Sequence, residues 1–290
     1  MKIFIHPPCM PRTLVRMAAA LCAAVWLLAG CAARPPGAPT LGASTESNAS
    51  FGNEGKDRVT ASDEPEAAKR ARVRLELAAA YYGRGQLTTA LDEVKQSIAA
   101  DANVAAAFNL RGLIYGGLGD QRLAEDSFRQ ALQIDPRDAD SMQNYGWHLC
   151  QQSRFAEAEN WFSQALNVPR YQDSARTMLT QGVCQARSGK LPAAERTLSK
   201  AYALEPANPA IAVNLSEVLL RTGDFERARF YVRRANSNVD VVNAQTLWLA
   251  ARIENKLGNA QGVEEFGKQL RNRFPQSPEA VSLAEGRFNE

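Results

Sequence analysis

Histidine is almost missing from this 290-residue chain, which has only His6 and His148. A zinc site built on imidazoles, or a nucleophile–histidine–carboxylate triad, lacks the parts to assemble. There is no glycine-rich phosphate loop, no Gly-x-Ser-x-Gly elbow and no carboxylate pair with a reason to be perturbed. No apolar run reaches the roughly 20 residues that a bilayer-spanning helix requires. Charge of one sign is scarce too, since 34 basic residues face 31 acidic ones. These absences argue against an enzyme, against a bound metal, cofactor or small-molecule substrate, and against a nucleic-acid binder.

What is present begins with a leader. Arg12 and Arg16 precede the apolar run Ala18–Leu28, and Ala29-Gly30 supply small residues before Cys31, the three parts of a secretory signal. Leu28-Ala29-Gly30-Cys31 resembles the bacterial lipobox, which implies acylation of Cys31 and cleavage just before it; an ordinary soluble leader that ends in cysteine is the other reading. Two or more acyl chains hold a protein firmly on a membrane. Ala32 stands where the inner-membrane retention signal of enteric bacteria has Asp, so the resemblance implies a lipid anchor in the outer membrane, facing the periplasm. Translation from Met10 instead of Met1 would give a leader of more usual length. Residues 1–30 carry Lys2, Arg12 and Arg16 and no acid, so the mature chain is neutral, with 31 residues of each sign. Residues 31–64 then read as the acylated cysteine and a flexible tether, rich in Ala, Ser, Thr, Gly and Pro, with a root-mean-square span of roughly 30 Å.

The remainder repeats itself. Gly85, Gly119, Ser153, Gly189, Gly223 and Gly258 stand 34, 34, 36, 34 and 35 residues apart, the period of the tetratricopeptide repeat. Seven residues before each lies a small residue: Ala78, Gly112, Gly146, Gly182, Ser216 and Ala251. Five after come Ala90, Ala124, Ala158, Ala194 and Ala228, with Val263 breaking the pattern; twelve after come Ser97, Ala131, Ala165, Ala201 and Ala235, with Leu270 departing. Small residues belong where helices cross closely. Asp135-Pro136 and Glu205-Pro206 end second helices. The expected fold is all-α: a right-handed superhelical solenoid of six helix–turn–helix repeats over 65–277, at 71–104, 105–138, 139–174, 175–208, 209–243 and 244–277, with a C-terminal tail at 278–290.

Such a stack presents its first helices as a groove for a partner, and in tetratricopeptide repeats positions two, five, nine, twelve and thirteen line it. The candidates in repeats one and two are Leu75, Ala79, Tyr82, Asn109 and Leu113, and Trp147 holds the same inward place in repeat three. Packing between repeats is the alternative role for each of them. Cys150 and Cys184 fall on the first helices of adjacent repeats, which pack side by side; they are either a disulfide pair or two buried thiols. The basic stretches KRARVR (69–74) and RFYVRRAN (229–236) read as solvated helix faces, and His148 reads as structural.

Three stretches narrow the family: LELAAAYYGRGQLTTALDEV, NYGWHLCQQSRFAEAENWFSQAL and GVCQARSGKLPAAERTLSKA. They resemble the type IV pilus biogenesis lipoproteins of the PilF/PilW family, which carry a lipobox, a short tether and six tetratricopeptide repeats. The match in repeat three runs through Asn144, Tyr145, Gly146, Leu149 and Cys150; His148 replaces the family's usual apolar residue. The resemblance implies a pilotin, which binds the secretin subunit PilQ and helps it reach the outer membrane and multimerise, so that twitching motility depends on it. An adaptor that recruits a periplasmic protease or peptidoglycan enzyme is the alternative.

Overall fold

The computed structural model describes residues 65–289. The leader, Cys31 and the tether assigned to residues 31–64 lie outside the described residues. Within them the chain is all helical, and its helices run in pairs. Repeat one is α1 (Glu66–Gly83) and α2 (Leu87–Ala100), repeat two α3 (Ala105–Leu118) and α4 (Gln121–Ile134), repeat three α5 (Ala139–Gln151) and α6 (Phe155–Leu166). Repeat four is α7 (Ser174–Arg187) and α8 (Leu191–Leu204), repeat five α9 (Pro209–Thr222) and α10 (Phe225–Asn236), repeat six α11 (Ala244–Lys256) and α12 (Ala260–Arg273). The C-terminal tail is not featureless: Pro278–Ala284 form α13, which packs on α11 and α12.

The helix boundaries follow local chemistry. All six turn residues have left-handed backbone, with φ from 63° at Ser153 to 90° at Gly119; this conformation reverses the chain within a few residues and suits glycine. Asp135 and Glu205 close α4 and α8 just before the prolines. Asp138, Asn208 and Asn243 cap the following first helices through side-chain oxygens. The extra residues of repeat three sit in the α6–α7 connection, where Tyr171 turns inward and its hydroxyl lies 3.0 Å from Thr177 Oγ1.

Each helix touches only its partner and the neighbouring repeats, as a quasi-one-dimensional stack should. First helices are therefore covered on most sides and second helices on one. α7 buries ten of its fourteen residues, α8 only three, Ala194, Leu198 and Ala201. Polar joints reinforce the apolar ones. The Glu125 carboxylate accepts from Tyr145 Oη (2.8 Å) and Arg154 (2.7 Å), tying α4 to α5 and α6. Burial and that carboxylate together push the Tyr145 phenol up to about 12.

The small residues before the turns perform the role the spacing assigns them. A β-carbon on Gly112 would lie 2.6 Å from the Phe128 ring, and one on Gly182 would lie 2.6 Å from Leu198 Cγ. Repeat six departs where the pattern does. Val263 is only partly buried, and Gly262, one residue earlier, is the small residue packed beneath Glu254, with Phe266 one turn on. Leu270 is as fully buried as the small residues at the same position of the other repeats, and the unit beyond it is the seven-residue α13.

Two substitutions probe these constraints. Gly182→Val lowers stability by about 2 kcal/mol or more, through overpacking against Leu198. Ser153→Gly raises it by about 1 kcal/mol, by relieving the left-handed backbone of a residue with a β-carbon. Denaturant midpoints at constant slope report both, and an unchanged midpoint in Gly182→Val would contradict the crossing geometry.

Candidate functional site

The inner face of the stack is what the first helices have left after packing. In repeat one Leu75 and Tyr82 are half-buried and pack on Ala78, Val94 and Ile114 and their neighbours. Ala79 between them is exposed, and nothing lies within 4 Å of where a side chain on Gly83 would start. The strip is thus anchored below and open above. Burial raises the Tyr82 phenol above its ordinary value.

The other candidates are less free. Asn109 Oδ1 accepts from Asn144 Nδ2 at 3.1 Å, a link between repeats two and three. Leu113 and Trp147 both pack against the cluster holding Phe128, Tyr145 and Phe162, and Trp147 also touches the cluster of the later repeats. Arg187 lies over the Trp147 ring, 5.7 Å from its centroid. The six candidates therefore fall in two places: an open apolar strip on repeat one, and a packed seam through repeats two and three.

Carrying the same five positions into repeats four to six reveals a different surface, which the sequence reading above did not single out. Position thirteen is Arg187, Arg221 and Lys256, all exposed; position nine of repeats five and six is Glu217 and Arg252; position five of repeat six is Trp248. Burial raises the Glu217 carboxyl despite Arg252 and Arg221 nearby, with Arg252 Nη1 3.8 Å away. Applying the groove positions beyond repeat three would have found them.

Cys150 and Cys184 form a disulfide between α5 and α7, with Cα atoms 5.9 Å apart. Beside Cys150, His148 is 3% exposed and stands 5.5 Å from the Phe128 ring centroid. Its Nε2 lies 2.6 Å from Gln152 Nε2, so that ring nitrogen accepts from the amide. Desolvation holds His148 below its ordinary value of 6.5, against a backbone hydrogen bond at Gln121 and the charge of Glu125, which act to raise it. Among the described residues no group of three or more His, Cys, Asp or Glu is placed to hold a metal ion, and no helix is long and apolar enough to cross a membrane.

A depressed histidine makes stability rise with pH: below about 6.5 the unfolded chain takes up a proton that the folded chain refuses, down to the folded value. His148→Leu removes this contribution. Unfolding free energy measured from pH 7.5 to 5 should fall less steeply in the variant than in the parent; equal slopes would mean that His148 is not buried neutral.

Tetratricopeptide-repeat models match residues 105–138 and 185–241. The type IV pilus assembly protein PilF of Pseudomonas aeruginosa is 24% identical over 206 residues, which covers 71% of this chain and 81% of that protein. The crystal structure of PilW, a widely conserved type IV pilus biogenesis factor, superposes with a TM-score of 0.69 at 33% identity, over 74% of this chain and 98% of PilW. The structure of Pseudomonas aeruginosa PilF superposes with a TM-score of 0.67 at 22% identity, over 77% of this chain and all of that one.

Proposed function

Because this chain belongs to the PilF/PilW family of tetratricopeptide-repeat proteins of type IV pilus biogenesis, we propose that it is a pilotin: a lipid-anchored scaffold that binds the secretin subunit and promotes its multimerisation in the outer membrane. It works by holding a partner and not by catalysis. The observation that carries this reading is the Leu75–Ala79–Tyr82 strip, apolar side chains fixed from below by the repeat-one core and bordered by the open surface at Gly83. Apolar anchors held in place lose little entropy on binding and dominate interface energetics. The lipobox at Leu28–Cys31 supplies the membrane attachment, and an acylated Cys31 would carry the bound secretin subunit to the periplasmic face of the outer membrane.

The packing decides which residue of the strip to replace. Glu in place of Leu75 or Tyr82 would disturb the core as well as the surface, whereas Ala79 is exposed. Ala79→Glu should weaken secretin capture at least tenfold, about 1.4 kcal/mol, with the unfolding midpoint unchanged. In cells lacking the protein, the secretin should be monomeric or mislocalised; the parent gene should restore rings and a Cys31→Ser copy should not. Normal secretin rings without the protein would reject the pilotin role and leave the adaptor reading.

A further inference from the structure

Beyond α13 the chain turns at Gly286, whose φ is 67°, and comes back along α11. The Phe288 ring stacks on Trp248, with centroids 5.2 Å apart and planes at 29°. Arg252 Nε donates to the Phe288 carbonyl at 3.3 Å, and Lys256 Nζ donates to Asn289 Oδ1 at 2.7 Å. Trp248, Arg252 and Lys256 are positions five, nine and thirteen of repeat six, three of the five that face inward. A short turn of this chain therefore lies on the inner face of its last repeat, as a ligand would. In both hydrogen bonds the face donates from a cation and the segment accepts.

The cations continue along the inner face beyond Lys256. Arg221 and Arg187 repeat the position of Lys256 in repeats five and four, and among the described residues none of the three has an ion pair: Arg221 donates to the Ala186 carbonyl at 3.2 Å, and Arg187 lies over Trp147. Glu217, beside Arg252, is the one carboxylate on these inward positions. The chain as a whole is close to neutral, so this is segregation of charge onto one surface.

We propose that the inner face of repeats four to six binds an extended acidic segment of a partner protein, an aromatic residue followed by carboxylates, and that Phe288 and Asn289 occupy its far end as a weaker internal substitute. The aromatic of the partner takes the Trp248 face, and its carboxylates take Lys256, Arg221 and Arg187. Among the described residues the substitute offers Arg252 and Lys256 only neutral acceptors, and a carboxylate accepting from a guanidinium or ammonium forms a hydrogen bond roughly twice as strong. The substitute's advantage is that it is tethered, with an effective concentration on the order of millimolar. The partner's apparent affinity is thus reduced by the fraction of molecules with the site open. This site lies at the opposite end of the stack from the proposed secretin strip and does not rest on the pilotin reading.

The test uses the full-length protein in detergent and the peptide acetyl-Gly-Ser-Phe-Asp-Glu-Glu-Gly-amide, with a control that has lysine at the three acidic positions. Calorimetric titration should show binding of the acidic peptide, none of the control, and loss of affinity as salt is raised. Phe288→Ala should bind the acidic peptide about tenfold more tightly than the parent, and so should Asn289→Lys, which repels Lys256 from an exposed position. The double variant Arg221→Gln/Lys256→Glu, which keeps a donor for the Ala186 carbonyl, should bind at least tenfold more weakly while its circular dichroism stays that of the parent. Equal binding of the two peptides would overturn the site. Unchanged affinity in both Phe288→Ala and Asn289→Lys would overturn the internal substitute. Because the readout is a peptide on purified protein, a failure here leaves secretin capture through repeat one untouched, and the reverse also holds.

Discussion

The crossing of the two helices within each repeat is the constraint on which the rest depends. At that crossing a residue without bulk on the first helix receives a large residue from the second: Gly112 beneath Phe128, Gly146 beneath Phe162, Gly182 beneath Leu198. The contact is reciprocal, since neither the small residue nor its filler tolerates exchange alone in a close-packed interior. It sets the distance between the helix axes, and so where the next first helix can lie. Repeating one crossing along the chain produces the stack, and the six left-handed turns between paired helices allow it to recur at nearly constant spacing.

From this follows how little surface the first helices keep. α5, α7 and α9 bury nine, ten and nine residues each, including polar ones that must find partners. Glu159 accepts from both Gln181 and Gln185, at 2.7 and 3.0 Å, and Asn214 donates to the Ala210 carbonyl. Only the inward positions remain free to meet a partner. Trp147 shows how narrow that allowance is, for its ring contributes to two core clusters while also lying under Arg187. A residue at a groove position is thus part of the fold and part of the surface at once, and the proportion varies from Ala79, exposed, to Trp147, largely packed.

The parts legible in the sequence are those governed by contacts a fixed number of residues apart. Turn residues, small residues at crossings and the prolines after Asp135 and Glu205 are all of this kind, and each lies where the spacing puts it. The last repeat is less legible because it packs against the seven-residue α13, which does not follow the repeat pattern. Leu270 is fully buried where the other repeats have alanine or serine. Glu254, buried over Gly262, is held by Arg233 Nε and Nη2 at 2.9 and 2.7 Å and by Asn259. No period encodes such contacts. The return of Phe288 to Trp248 joins residues 40 apart that lie outside the repeat pattern, and so it was invisible to a periodic reading. The pairing of Cys150 with Cys184 was legible as a choice, because both lie on neighbouring first helices; the bond depends on how closely α5 and α7 approach, 5.9 Å between the two Cα atoms, which no spacing encodes.

A total charge close to neutral conceals how unlike the two ends of the inner face are. Repeats one and two present Leu75, Ala79, Tyr82 and glycines; repeats four to six present Arg187, Arg221, Arg252 and Lys256 around Trp248. In a stack where each unit touches only its neighbours, the two ends share no contacts, and the relative placement of such surfaces depends on the joints between them. The disulfide spans the joint of repeats three and four, between the apolar and the cationic parts. Closing a loop of about 34 residues contributes roughly 3–4 kcal/mol in the chain-entropy picture, and it adds to the Glu159–Gln181 and Trp147 contacts across the same joint. The bond therefore fixes more than one helix contact: with the packing of α6 on α7 it sets the spacing between the apolar and the cationic parts of the inner face.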